Sequence, residues 1–450
     1  MLIVKILLGL FGLGIVVFFH ELGHFLAARL VKINVEAFSI GWGNPLLKKK
    51  IGDVEYRIGM FPVGGYCKMQ GESDYKEAWE NMNKGVMPEK GSFLAASPAA
   101  RILVSFAGPF FNLLFAVVLL SFIWGFGFEV PTFDNKIVLA SELKPGEVYP
   151  ADTSGLKTGD RIIQINGQNI SYFHELREIF ALNPDKSLTV TVERDGQIVN
   201  LQVTPALEKS TGAGKIGVSY WADPVIGDVI DGSSAAKAGL LPGDIIISAN
   251  GENIRNSVDF SNIIGSKPDT LTLVFERNGA REQAEFTGKD LEELLGFSWS
   301  YISYRTPNLS LPQAVAKGVY EGSRTVVISI KSLGLLFKGI DLTQAVSGPA
   351  RITYMMGDMA TQGFEQGFGT GLRSIANFIA IISILLCVMN LLPLPIIDGG
   401  MIILFLVEMI RGKPAHPKAI AIFQTCGMVI IFSLMVFALF GDILFFVRGI

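Results

Sequence analysis

Apolar positions are unevenly spread along the 450-residue chain. Three stretches, 102–128, 374–397 and 419–441, hold no charged residue. Each is long enough to cross a bilayer, which takes about 20 apolar residues. A fourth run, 6–19, is shorter but continues through His20-Glu21-Leu22-Gly23-His24 into Phe25-Leu26-Ala27-Ala28. It is N-terminal and follows a lysine, as a cleaved leader would. It has no small-x-small cleavage site, and its polar cluster falls where cleavage would be expected, so it reads as a retained first helix. The pattern changes between the second and third spans. There, short alternating runs such as Ile162, Ile163 and Ile165, or Val190 and Val192, are punctuated by Asn-Gly and Asp-Gly turns, the mark of strands and hairpins.

This inner segment repeats itself. Residues 154–170 (SGLKTGDRIIQINGQNI) and 238–254 (AGLLPGDIIISANGENI) agree at ten of seventeen positions, at an offset of 84. LTVTVERDG at 188–196 is matched by LTLVFERNG at 271–279. A unit of this length used twice predicts two small domains, since solenoid repeats are shorter. The GLxxGDxIxxING pattern of both copies resembles the PDZ family, which adds a peptide as an extra strand beside a helix. The resemblance implies two α+β PDZ domains that would take peptide C-termini.

Composition adds a class and a sidedness. Charged residues are 18 % of the chain against about 25 % in soluble domains. Hydrophobic residues are 50 % and mean hydropathy is +0.42. Disorder, collagen and coiled coil are excluded, and 38 basic against 41 acidic residues give no footprint for nucleic acid. The charges are segregated, however. Residues 29–101 carry 11 basic and 8 acidic groups, 408–418 carry three basic and one acidic, and 129–373 carry 22 basic and 29 acidic. Positive loops stay inside, so 29–101 and 408–418 are expected in the cytoplasm and 129–373 outside.

The strongest chemical feature is His20-Glu21-Leu22-Gly23-His24. Residues at i and i+4 share a helix face, so both imidazoles can bind one zinc ion, with Glu21 placed to take a proton from metal-bound water. The chain has only four histidines, and two are in this motif. Ionisable groups at membrane depth are costly and mark function. The usual downstream third ligand of soluble HExxH enzymes is absent. The remaining candidate is Asp398, closing Asn390-Leu391-Leu392-Pro393-Leu394-Pro395-Ile396-Ile397-Asp398-Gly399-Gly400. At about 1.5 Å per residue, His20 and Asp398 both fall toward the cytoplasmic half of the bilayer. Pro393 and Pro395 break the helix there, which is tolerated where backbone lines a buried site. Two histidines, a carboxylate and an open position make a catalytic zinc arrangement. His174 and His416 read as ordinary surface histidines, and Cys67, Cys387 and Cys426 form no disulfide framework.

With HELGH in the first span and NLLPLPIIDGG in the third, the sequence resembles the site-2 family of intramembrane zinc metalloproteases over nearly its whole length. Gly108-Pro109-Phe110-Phe111-Asn112 fits that family's GPxxN element. Gly41-Trp42-Gly43 and the strand-like Val54–Met69 look like its membrane-associated β-region. The resemblance implies a polytopic α-helical membrane protein with four transmembrane helices, a membrane-associated β-region and two PDZ domains. The expected division is a first helix at 1–31, a cytoplasmic-side β-region at 32–100 and a second helix at 101–128. PDZ domains follow at 129–222 and 223–305, then amphipathic linker helices at 306–373, a third helix with its motif at 374–407 and a fourth at 419–447. It further implies Zn2+ as cofactor on His20, His24 and Asp398, with Glu21 catalytic. Substrate contacts would come from Asn390, Pro393, Pro395 and an edge strand at 54–69. Asn390 and Asn112 are open to a second reading, as helix–helix hydrogen bonds. The partners implied are the lipid bilayer and transmembrane substrates such as an anti-sigma factor or a remnant signal peptide. The location implied is a bacterial inner membrane with the PDZ pair periplasmic. Two other classes compete: an inactive membrane-anchored scaffold, and a zinc transporter, which would more often show inverted repeats.

Overall fold

The computed structural model describes residues 2–72, 89–144, 146–209, 211–287, 295–335, 347–365, 367–413 and 416–448. The chain divides into two compact units, 1–128 with 307–450, and 129–306.

Among the described residues the first unit holds four helices long and apolar enough to cross a membrane, at Val4–Leu30, Pro98–Phe126, Phe368–Asn390 and Lys418–Val447. In chain order its elements are α1 (Leu2–Leu30), β1 (Val35–Ile51), β2 (Val54–Met69), α2 (Pro98–Phe126), α3 (Leu311–Leu335), α4 (Pro349–Glu365), α5 (Phe368–Asn390), α6 (Asp398–Arg411) and α7 (Pro417–Arg448). The third apolar stretch, 374–397, is therefore helical only as far as Asn390. Pro393 and Pro395 lack an N–H, so the chain leaves the helix for seven residues and starts again at Asp398. Ile396 takes φ +80° in that turn, a region a β-branched side chain avoids at a cost of about 1–3 kcal/mol. Glycine is required at 399, where a Cβ would stand 2.2 Å from the Leu392 carbonyl oxygen. The segment expected to hold amphipathic linker helices contains α3 and α4; Leu336, Phe337 and Lys338 lie outside the described residues.

α2 packs against α1, α3, α5 and α6. Close approach to α1 depends on small residues, as helix pairs in lipid do: a Cβ on Gly23 would meet the Ala107 carbonyl oxygen at 2.3 Å. α2 and α6 are joined by a buried bidentate pair, Arg101 Nη1 and Nη2 donating to Glu408 at 3.1 and 2.6 Å, with the guanidinium over the Phe405 ring. Replacing Arg101 by Met leaves the Glu408 charge buried alone. This should destabilise the protein by about 3–5 kcal/mol, read as a lower unfolding midpoint in detergent.

The β-region is a folded ribbon. Phe38 pairs with both Cys67 and Tyr56, and Arg57 pairs with both Ser39 and Lys48. The segments therefore lie in the order 65–69, 35–40, 55–58, 47–51. The 55–58 part of the expected edge strand is interior, and the ribbon's outer segments are 65–69 and 47–51. Phe25 and Ala28 of α1, Phe38, Cys67 and Met69 of the ribbon, Val104 of α2 and Phe405 of α6 share one core.

The second unit contains the repeat. One four-stranded sheet has the order Gln168–Asn169, Arg161–Ile165, Leu188–Arg194, Gln197–Val203. The other has the same order in Glu252–Asn253, Ile245–Ala249, Thr270–Arg277, Ala280–Thr287. Each is accompanied by a nine-residue helix, Phe173–Ala181 or Ser257–Gly265. The repeated residues have repeated tasks. Asp160 takes a two-pronged bond from Arg194 at 2.7 Å for each prong, and Asp244 takes one from Arg277 at 2.7 and 2.6 Å. Ile162, Ile165, Leu176 and Val190 centre one core; Ile246, Leu271, Leu273 and Phe275 centre the other.

His174 differs from the surface histidine read from sequence. Tyr172 and Tyr304 stack on each other at 4.6 Å, the His174 ring lies nearly parallel beside the pair, and its Nδ1 lies 2.9 Å from Thr132 Oγ1. Burial disfavours the imidazolium and holds its pKa below the ordinary 6.5. A depressed histidine pKa means that the unfolded chain binds more protons, so stability is complete above about pH 6.5 and declines as pH falls. Once corrected for the intrinsic pH dependence of amide exchange, protection over 129–306 should be lower at pH 5.5 than at pH 7.5, and His174→Gln should flatten part of that difference.

Candidate active site

Two elements far apart in sequence meet at this site. α1 presents His20 and His24 on one face, and the restart at α6 presents Asp398 from its first helical position. Both histidines are 9 % exposed. His20 Nε2 lies 3.2 Å from His24 Nε2 and 3.3 Å from Asp398 Oδ2, and His24 Nε2 lies 3.5 Å from Asp398 Oδ1. Ligand atoms about 2.0–2.1 Å from a tetrahedral zinc ion stand about 3.3 Å apart, so the spacing fits that metal. The tautomer fits as well. His24 Nδ1 lies 2.8 Å from the Val104 carbonyl oxygen and donates to it, which leaves the Nε2 lone pair turned to the cluster. Three acceptors directed at one point repel each other unless a cation joins them. Among the described residues, this is the one group of three or more His, Cys, Asp or Glu side chains able to hold a metal ion.

α2 forms a wall of the site. Gly108 lies against both imidazoles, and a Cβ there would stand 2.3 Å from His24 Nε2. Residues 104, 108 and 112 are four apart and share one face, so Val104, Gly108 and Asn112 all meet the histidines. β2 forms another wall, beside Glu21. The Cys67 backbone N–H lies near the Glu21 carboxylate, and a Cβ on Gly65 would reach Glu21 Cγ at 3.2 Å. Alongside, a groove of about 690 Å3 runs between α1 and the ribbon, lined by Phe18, Leu22, Phe25, Ile40, Tyr56 and Ile58 among others.

Of the other residues singled out from sequence, Asn390 joins the cluster, with Nδ2 3.4 Å from His20 Nε2. Pro393 is exposed in the turn. Pro395 is buried, in contact with Gly427 of α7. Asn112, left open between two readings, has its Nδ2 3.3 Å from His20 Nδ1. Sequence reasoning gave Val104, Gly108, Gly65 and Cys67 no role beside His20, Glu21 and His24. The i, i+4, i+8 spacing in and before the GPxxN element was the available sign for the first two.

The sequence profile of peptidase family M50 matches residues 8–434. The chain belongs to that family. It is 34 % identical to a "Putative zinc metalloprotease" of Treponema pallidum, over 98 % of this chain and 99 % of the relative. A protein of the same name from Borreliella burgdorferi is 30 % identical over 97 % and 98 %. The "Regulator of sigma E protease" of Haemophilus influenzae is 28 % identical over 96 % and 97 %. The protein is thus a zinc metalloprotease of the site-2 family, a multi-pass membrane protein and a hydrolase of peptide bonds.

Proposed function

We propose that this protease cuts its substrates within a transmembrane segment, on the cytoplasmic side of a bacterial inner membrane. The observation that carries this reading is the position of the ligand atoms. They lie on a membrane-length helix and on the helix that restarts after another. His20, His24 and Asp398 would hold the zinc ion. When bound there, zinc supplies Lewis acidity, bringing the pKa of a coordinated water toward about 7 and polarising the scissile carbonyl. Glu21 is the general base: its carboxylate, beside the Cys67 N–H, accepts the proton of the attacking water and returns it to the leaving amine. The Asn390 carboxamide offers the substrate backbone a donor and an acceptor at the cluster.

A helical substrate hides its carbonyls in i→i+4 bonds and must unwind before attack, and the freed groups need partners in lipid. Edge strands receive extended peptides, and the 65–69 segment is the ribbon edge beside Glu21. The loop with Pro393 borders the same path, and Pro395 sets the loop's shape from beneath. The apolar groove between α1 and the ribbon suits the substrate's side chains.

The repeated lobes, assigned as PDZ domains at 129–222 and 223–305, lie on the outer, periplasmic face and screen substrates by external size. The targets are then membrane proteins already trimmed by another protease, of the anti-sigma-factor kind, or remnant signal peptides. Removing 129–305 should let untrimmed substrates be cut, scored by immunoblot in cells. Selectivity identical to the intact protein would remove the screening role.

A further inference from the structure

The Asn112 side chain is completely buried in α2. Its Nδ2 lies 3.3 Å from His20 Nδ1, and its Oδ1 has no hydrogen-bond partner among the described residues. The opposite nitrogen of the same ring, Nε2, lies 3.2 Å from His24 Nε2 and 3.3 Å from Asp398 Oδ2. A neutral imidazole carries one proton. With the Nε2 lone pair directed at the cluster, that proton is on Nδ1 and must be donated. An amide nitrogen cannot accept it; an amide oxygen can. The two ends of a carboxamide have nearly the same shape, so the hydrogen-bond network decides which end faces a partner.

We propose that Asn112 is the positioning residue of His20. Its Oδ1, turned to the ring, accepts the Nδ1 proton and so fixes both the tautomer and the direction of the Nε2 lone pair. The proposal rests on reading His20 as a zinc ligand. It is the counterpart of the bond from His24 Nδ1 to the Val104 carbonyl. α2 therefore serves both histidines from one face, with a backbone acceptor at 104, a side-chain acceptor at 112 and Gly108 between them. Asn112 is itself anchored, because its backbone carbonyl accepts from Ser383 Oγ of α5 at 2.8 Å. Such partners of ligating histidines typically alter metal affinity by about 10–100-fold when removed.

The test is zinc affinity by chelator competition on the full-length protein in detergent, for wild type, His20→Ala, Asn112→Leu, Asn112→Ser and Asn112→Asp. His20→Ala should lose tight binding. The leucine variant, which has no acceptor, and the serine variant, whose hydroxyl is one bond shorter than the carboxamide oxygen and stops short of Nδ1, should bind about 10–100-fold more weakly. Asn112→Asp keeps an acceptor oxygen and should stay within a few-fold of wild type. Wild-type affinity in Asn112→Leu or Asn112→Ser, with a wild-type unfolding midpoint, would overturn the proposal. Wild-type affinity in His20→Ala would overturn the ligand reading beneath it. Should neither substitution yield folded protein, the imidazole 15N spectrum of zinc-loaded wild type decides. A hydrogen-bonded proton on His20 Nδ1 supports the assignment, and a proton on Nε2 overturns it.

Discussion

Glu21→Gln should keep one zinc ion per chain and hydrolyse a transmembrane peptide about 10²–10⁴-fold more slowly, the usual worth of a positioned general base. Glutamine has nearly the shape of glutamate and can still pack on β2 at Gly65. What it lacks is the capacity to accept a proton from water at neutral pH. Metal content by mass spectrometry and initial rates on the same sample separate the two effects. Loss of zinc together with activity would make Glu21 a structural member of the metal site. A rate within tenfold of wild type would remove it from the reaction.

Gly108→Ala should have the opposite signature: an intact fold with a failed metal site. A Cβ at that position would lie 2.3 Å from His24 Nε2, 2.6 Å from His24 Cε1 and 2.9 Å from His20 Cε1. The imidazoles would have to swing out of the cluster to admit it. Alanine is the better helix former by about 1 kcal/mol, so α2 itself gains from the change. The metal-free protein should therefore melt no lower than wild type while zinc binds about 100-fold more weakly or worse. Zinc affinity equal to wild type would mean that α2 is not the wall of the site.

The two substitutions probe parts of the molecule that differ in how far the sequence reveals them. HELGH announced itself, because both histidines lie on one local helix turn and the surrounding residues are apolar. Asp398 could be reached by depth and by the two prolines that stop α5 before it. The repeat was equally open, since Asp160 and Asp244 sit in matching words of the sequence.

Hidden features depend on how distant elements meet. Nothing in residues 35–69 says that Phe38 pairs on both sides, so the interior position of 55–58 appears only when the ribbon folds. Asn112 and Gly108 face the histidines because α1 and α2 meet in one rotational setting, and hydropathy is blind to rotation. The run 374–397 is apolar throughout, and hydropathy alone does not distinguish its helix, ending at Asn390, from the Leu-Pro loop that follows. Cys67 stood alone in the sequence, yet its backbone N–H lies beside the Glu21 carboxylate. The side chain there carries no such information.

The most direct test of the account is product mapping. Purified protein is reconstituted in lipid vesicles with a single-pass transmembrane peptide, and the masses of both fragments are read by mass spectrometry. The account predicts one cut inside the apolar span, abolished by a zinc chelator and restored by zinc. Cuts confined to the polar flanks, or an intact peptide beside fully zinc-loaded protein, would contradict it.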